Sequence, residues 1–408
     1  MDNQQIEARK QRGLQIAKTT RIEKTKEGWK VPSQYGSGFY MVISNGFEAK
    51  CNCPDCQTRN CKCKHIFAVE FIVTEEVDNK GNVTVTQTVR KTYKQDWNAY
   101  NTAQQGEKKM LMQLLGDVTN NIPQQDYKFG RPTTPISDMI YTMIFKTYST
   151  FSGRRFMSDM EIAQEKGYVS KKIPYNTMFD YFNKKELTSI LSNIVTTTSL
   201  PLKSVENDFG VDSTGFGTNN FQRWFSFKHG REICSKKWVK CHFITGVKTN
   251  IIPSVSITTE YSNDCPEMKK LVNNTAEHFD MNEVSGDKAY SSRENHNMIA
   301  NVGATPYIAF KKNATAKPNG SVAWKKMYHY FMLNNESYMQ HYHKRSNAET
   351  TVHMIKSKFG DKVRSKKWTS QVNEVLCKVV CHNICVVIQE MQGLGISAEF
   401  GMDRGVCA

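Results

Sequence analysis

The segment Cys51-Asn-Cys53-Pro-Asp-Cys56-Gln-Thr-Arg-Asn-Cys61-Lys-Cys63-Lys-His65 gathers five of the chain's twelve cysteines into one short stretch. Such a density is satisfied either by disulfides or by a metal. The opening residues MDNQQIEARKQRG have no apolar core like that of a signal peptide, and no uninterrupted apolar run approaches the roughly 18–20 residues of a transmembrane helix. An intracellular, reducing setting is therefore expected, and in it metal ligation is favoured over a disulfide framework. Zn²⁺ takes four soft or borderline ligands in a tetrahedron, which two Cys-x-Cys or Cys-x-His pairs on tight turns can supply. An all-cysteine site that uses Cys56 or Cys61 stays open on the residues alone.

The rest of the chain is read by its periodicity. Residues 1–30 begin with a short helix. Gly38–Ile43 and Phe47–Lys50 read as strands joined at Ser44-Asn45-Gly46, and His65–Val73 reads as a helix or a buried strand. Residues 76–89 alternate around an Asn-Lys-Gly-Asn hairpin signal. From Asp96 helices dominate, with Met110, Leu111, Leu114, Leu115 and Val118 at helical spacing and a Pro-punctuated linker from Ile122 to Pro135. Pro135 opens a further helix, Ser158 is expected to cap one over Met160–Lys166, and Pro174 starts one to Asn183. The last two could form a helix-turn-helix that turns Tyr175, Asn176 and Asp180 towards a DNA groove.

Beyond Leu202 the pattern alternates between strands and helices. Strands are expected at Val205–Asp212, Lys240–Asn250, Ile251–Thr259, Glu283–Asp287 and Thr305–Phe310, with helices at Met268–Phe279, Ser292–Val302 and about 326–358 and 369–392. This order describes a mixed α/β fold, a sheet with helices on its faces. Cys377, Cys381 and Cys385 recur at helical spacing and are expected to be a buried stripe. Two of the strands end in carboxylates, Asp212 and Asp287. A helix downstream carries Tyr342, Arg345, Glu349 and Lys356, separated by two, three and six residues, on one expected face. Two aspartates on adjacent strands and a glutamate on a packed helix can hold a pair of Mg²⁺ (or Mn²⁺) ions that clamp the attacking and leaving oxygens of a phosphodiester.

In that order, and with the Tyr–Arg–Glu–Lys signature intact, residues of about 200–392 resemble the DDE transposases of bacterial and archaeal insertion sequences. The resemblance implies an RNase H-like catalytic domain with Asp212, Asp287 and Glu349 as catalytic metal ligands, and Tyr342, Arg345 and Lys356 holding transposon-end DNA. The gap from Phe310 to Tyr342 is too short for the large β insertion of some relatives, and Trp324 within it is expected to be a core residue. The cysteine cluster resembles the SWIM zinc finger, which implies Cys51, Cys53, Cys63 and His65 as ligands of a structural zinc.

Charge agrees with a polyanionic partner. Lys and Arg total 55 against 39 Asp and Glu, a net +16, and each phosphate contact releases condensed counterions. An anionic membrane surface is the competing partner. Lys344, Lys358, Lys362, Arg364, Lys366 and Lys367 crowd around the glutamate helix as a DNA track. An aromatic content of 11% excludes disorder throughout.

The expected organisation is an N-terminal module at 1–95 with the zinc finger at about 35–75, a helical DNA-binding region at 96–200, the catalytic domain at 201–394 and a tail at 395–408. The activity expected is transposon-end cleavage and joining by a homodimer assembled on DNA, in the nucleoid-associated cytoplasm of a bacterium or archaeon. A regulator derived from a transposase, catalytically inactive, is the second reading. The retention of all three acids favours the first.

Overall fold

Charged, amphipathic residues open the chain as helix α1 (Asn3–Thr19) in a computed structural model. The structure describes residues 3–400 apart from 21, 26, 34–37, 45–48, 60, 78–82, 88–95, 125–128, 131–132, 219–227, 230–236 and 399. The expected turns at Asn45-Gly46 and at Asn-Lys-Gly-Asn, and most of the tail, lie outside the described residues. Two compact units result, Met1–Gln95 and Asp96–Ala408.

In the first unit, β1 (Glu23–Lys24), β2 (Trp29–Pro32), β3 (Phe39–Ser44) and β4 (Ala49–Cys51) form an antiparallel sheet in sequence order. The short helix α2 (Pro54–Arg59) and helix α3 (Lys64–Ile72) follow. The segment at His65 is thus a helix. The alternating residues after it pair as β5 (Val73–Val77) with β6 (Val83–Gln87). Ile16, Val31, Val42, Ile66 and Ala68 form the core. Gly13 lets α1 approach α3, because a Cβ there would stand 2.6 Å from the Phe67 Cβ. Arg9 of α1 donates to both carboxylate oxygens of Asp55, at 3.0 and 3.2 Å.

The second unit is built on the sheet β7 (Asp208–Gly217), β8 (Trp238–Gly246), β9 (Ser254–Thr259), β10 (Glu283–Gly286) and β11 (Thr305–Ile308), in the order β11-β10-β7-β8-β9. Antiparallel pairing on one side of β7 and parallel pairing on the other give the RNase H-like arrangement. One sheet face packs Phe209, Val211, Val284 and Ile308 against helices Glu267–Ala276 and Arg293–Asn301. The opposite face packs Phe216, Cys241 and Phe243 against the rest of the unit. That rest includes helices Trp97–Asn120, Ile136–Ser149, Gly153–Glu165, Tyr175–Phe182 and Glu186–Ser199.

Helix Trp368–Gly393 is the strut of this larger core. It is long and apolar enough to cross a membrane by length and composition, yet 83% of its apolar window is buried inside the protein. Cys377 and Cys381 are fully buried in it. Its buried Asn383 accepts from the Ile252 N–H and donates to the carbonyls of Ile252 and Val195, so the polar side chain is matched on both faces.

Three expectations are corrected. The strand through Asp212 does not end there but continues to Gly217, because β8 pairs with it along its whole length, Phe209 to Gly246 through Gly217 to Trp238. The helix expected from Met160 starts at Gly153, and Ser158 lies inside it, its hydroxyl turned back to the Arg155 carbonyl. The long helix expected over 326–358 is three helices, Val322–Leu333, Asn335–Tyr342 and Ser346–Phe359, the last two separated by a tight turn at His343–Arg345. Trp324 is a core residue, 5% exposed, its indole N–H donating to the Thr315 carbonyl.

Candidate active site and metal centre

Sheet register decides where the acids meet. The parallel pairing of β10 with β7 stops at Gly286 opposite Val211. Asp212 is the next residue of β7 and Asp287 the next after β10, so both carboxylates stand where the parallel pair comes apart. Asp287 turns the chain, its Oδ1 accepting from the Lys288 N–H at 2.6 Å.

The third acid arrives on helix Ser346–Phe359. That helix lies close over β7 at Gly210, where Ala348 and the Arg345 backbone stand within van der Waals reach of a Cβ position, 3.7 Å away. Asn347 locks the helix in place by donating to the Val247 carbonyl and the Asn250 Oδ1, each at 2.8 Å. Thr351 adds hydrogen bonds to Asn250 and Thr245, both at 3.1 Å. Asn347, Thr351 and Asn250 were not singled out in the sequence. The only signal there is a polar pair at i, i+4 on an otherwise packed helix face.

Arg345 joins the acids. Its guanidinium stands 3.3 Å from the Asp212 Oδ2 and 2.7 Å from the Glu349 Oε1. Burial pushes the Asp212 carboxyl above its ordinary value; the Ser213 N–H and Arg345 oppose this, and the negative charges of Glu349 and Asp287 add to it. Asp212 thus stands in the field of both other carboxylates. Hard oxygen donors in such a group fit Mg²⁺ or Mn²⁺.

The signature residues divide. Arg345 and Tyr342 lie in and just before the turn that precedes the helix rather than on one helical face with Glu349 and Lys356. Lys356 lies with its Nζ 5.6 Å from the centre of the Phe216 ring. Burial lowers its affinity for the proton. Lys344 is engaged inside the fold, 2.7 Å from both Asp208 Oδ2 and Glu283 Oε2, at the opening register pair of β7 and β10. Lys358 is ion-paired with Glu107 of the helical region. Burial opposes charge on each of these two amines, and the carboxylate partners of Lys344, and Cys385 and Glu107 beside Lys358, more than offset it.

A stability prediction follows for Lys344. Its replacement by Met leaves two carboxylates facing across parallel strands without their cation. A loss of about 1–3 kcal/mol is expected in urea unfolding, whereas Lys356→Met should cost less than about 1 kcal/mol. Equal costs for the two would contradict the staple role.

In the first unit, the ligand atoms of Cys51, Cys53, Cys63 and His65 all lie within 4.8 Å of one another, and all four residues are buried. Strand β4 ends at Cys51, the loop into α2 carries Cys53, and the first turn of α3 carries His65. The His65 Nδ1 is 3.8 Å from Cys51 Sγ and 3.9 Å from Cys63 Sγ, while its Nε2 is buried without a hydrogen-bond partner. Burial lowers the His65 pKa to about 4 and raises that of Cys53 to about 11. A neutral imidazole among crowded thiols is the donor set that suits tetrahedral zinc, and the group is compatible with a structural zinc module. Cys56 and Cys61 stand outside the group, half-buried.

Residues 204–384 match the family model described as the transposase DDE domain. No solved structure matches the chain.

Proposed function

Because this chain carries a transposase DDE domain, we propose that it binds the ends of a DNA element, cleaves them with an activated water and joins the freed 3′-OH to target DNA. The observation that supports this most is that Asp212 and Asp287 stand where the parallel strands part and that Arg345 bridges Asp212 to Glu349. Such a family implies divalent metal. We read the three acids as holding two ions, which when bound supply Lewis acidity for the attacking and leaving oxygens.

The chain's own residues supply the rest. Arg345 orients Asp212 and Glu349 and sets a positive charge beside the scissile phosphate. Tyr342 and Lys356 flank it as DNA contacts, the first through its hydroxyl and the second as a point charge. The regions 96–200 and 201–394 act as DNA-binding and catalytic parts in this reading. Helices Gly153–Glu165 and Tyr175–Phe182 offer Asn176 and Asp180 at the surface for a groove contact. The zinc module is read as a SWIM-type finger, and the working form as a homodimer on DNA in the nucleoid-associated cytoplasm.

Two measurements test the reading. With Mg²⁺ and linear DNA carrying the element's own ends, wild-type protein should yield end cleavage and strand-transfer products; absence of both overturns the proposal. Affinity for end DNA should fall steeply with salt, the slope of log affinity against log salt being about −0.9 per phosphate neutralised. Lys356→Ala should flatten that slope by about one. An unchanged slope removes Lys356 from the DNA contacts.

A further inference from the structure

Beyond the acid site, helix Ser346–Phe359 runs on for ten residues past Glu349, a rise of about 15 Å, to Phe359 at the wall of a separate cavity. This cavity holds about 570 Å³. Its walls come from six places in the sequence, the ends of helices Ile136–Ser149, Tyr175–Phe182 and Ser346–Phe359, the start of Gly153–Glu165, the loop 360–367 and the flank of Trp368–Gly393.

The chemistry of the walls is strongly cationic. Six basic side chains line the cavity against two acids, Asp180 and Glu374. Lys146 and Lys378 are 7% and 2% exposed. Each is a lysine in a largely apolar run of helix, Ile-Phe-Lys-Thr-Tyr and Leu-Cys-Lys-Val-Val. The Lys378 ammonium is held by the carbonyls of Gly360 and Lys362, at 2.9 and 2.7 Å. Lys146 makes no hydrogen bond or ion pair among the described residues; its ammonium lies 5.9 Å from the Phe156 ring centre. Glu374 accepts from the backbone N–H groups of Arg364 and Ser365, and its negative charge also raises the proton affinity of both lysines without a direct ion pair to either. Burial brings both lysines down to a pKa of about 8.

Two helix N-termini also reach the cavity, at Ser152-Gly153 and at Lys367, and neither is capped by its own side chain. The partial positive charge of a helix start adds to the lysines. Burying an ammonium is costly, and this cavity buries Lys146 without a hydrogen bond or ion pair among the described residues beside Lys378 on two carbonyls, with Glu374 the one buried carboxylate among the six basic side chains of the walls. An anion in the cavity would match both.

We infer that this cavity is a phosphate-binding site, with Lys146 and Lys378 as its floor and Arg364, Lys366 and Lys367 as its rim. Its size exceeds one phosphate, so it takes a phosphate together with the group that carries it. The phosphate comes either from a DNA strand that continues along helix Ser346–Phe359 from the acids or from a free phosphate or nucleotide. The DNA source rests on the proposed function; the phosphate chemistry does not.

The test uses the full chain and inorganic phosphate, titrated calorimetrically against chloride at equal ionic strength. Wild type should bind phosphate, Lys146→Met should bind it at least tenfold more weakly, and Lys146→Arg should retain most of the affinity. Asp212→Asn should leave phosphate binding unchanged, which separates this site from the acids. Should Lys146→Met fail to fold, the double change Lys366→Ser and Lys367→Ser on the exposed rim should weaken phosphate binding several-fold. Failure of wild type to bind phosphate beyond chloride, or binding untouched by both the floor and rim changes, overturns the inference. Salt titration of DNA binding then separates the sources. A slope flattened by Lys146→Met assigns the phosphate to DNA, and an unchanged slope with phosphate binding lost assigns it to a free ligand.

Discussion

Glu349→Gln should lower both end cleavage and strand transfer by at least about a thousandfold while DNA binding persists, because in the proposed function one set of acids serves both steps. Asp212→Asn and Asp287→Asn should do the same. Each change removes a charge and keeps the side-chain volume. Glu349 is 61% exposed on its side chain, so its loss leaves the packing of the helix untouched. Asp212 is more enclosed, yet its amide can still accept from the Ser213 N–H as the carboxylate does now. Circular dichroism and urea unfolding check the fold, and gel assays with Mg²⁺ on end DNA read the chemistry. Near wild-type activity in folded Glu349→Gln would remove Glu349 from the site. DNA affinity should hold or rise, since one repulsion between carboxylate and phosphate disappears.

The second large effect concerns the first unit. Three of the four residues in the candidate zinc group, Cys51, Cys53 and Cys63, are also members of its apolar core. A module this small buries little without a staple, and structural zinc contributes about 10–16 kcal/mol in comparable modules. Cys63→Ser, or a strong chelator, should therefore unfold Met1–Gln95 while Asp96–Ala408 keeps its own unfolding transition. Elemental analysis should find about one zinc per chain in the wild type and none in the variant. Hydrogen exchange should show amide protection lost over 29–72 and kept in helix Trp368–Gly393. Protection in 29–72 that survives chelation would refute the staple.

Much of this was legible because local chemistry and global fold agree. Pro135, Pro174 and Ser292 begin helices as their backbone preferences dictate, and Asp212 and Asp287 both come directly after the last paired residues of the parallel strands. The errors come from partners that local reading cannot see. Asp212 lies mid-strand only because β8 extends beside it, a fact of pairing rather than of the residues around the aspartate. Lys344 reads as one more charge in a basic run, yet its two carboxylate partners lie 136 and 61 residues away. Lys146 and Lys378 offered a signal that went unused, a single cation in an apolar helical stretch, and the cavity they floor needs walls from six separate segments.

The strut Trp368–Gly393 also governs how the larger unit comes to exist. Cys381 donates to the Ile144 carbonyl across 237 residues of chain, and Asn373 to the Phe182 carbonyl across 191. Loop-closure entropy must be met before such contacts reward the chain, so folding is slow by topology. While the protein is being made, the helices between residues 97 and 199 emerge with apolar faces whose partner has not yet been synthesised. The nascent chain must keep those faces from aggregating until residue 388 has left the ribosome. Assembly of the acid site therefore waits on translation of a helix that contributes none of its carboxylates.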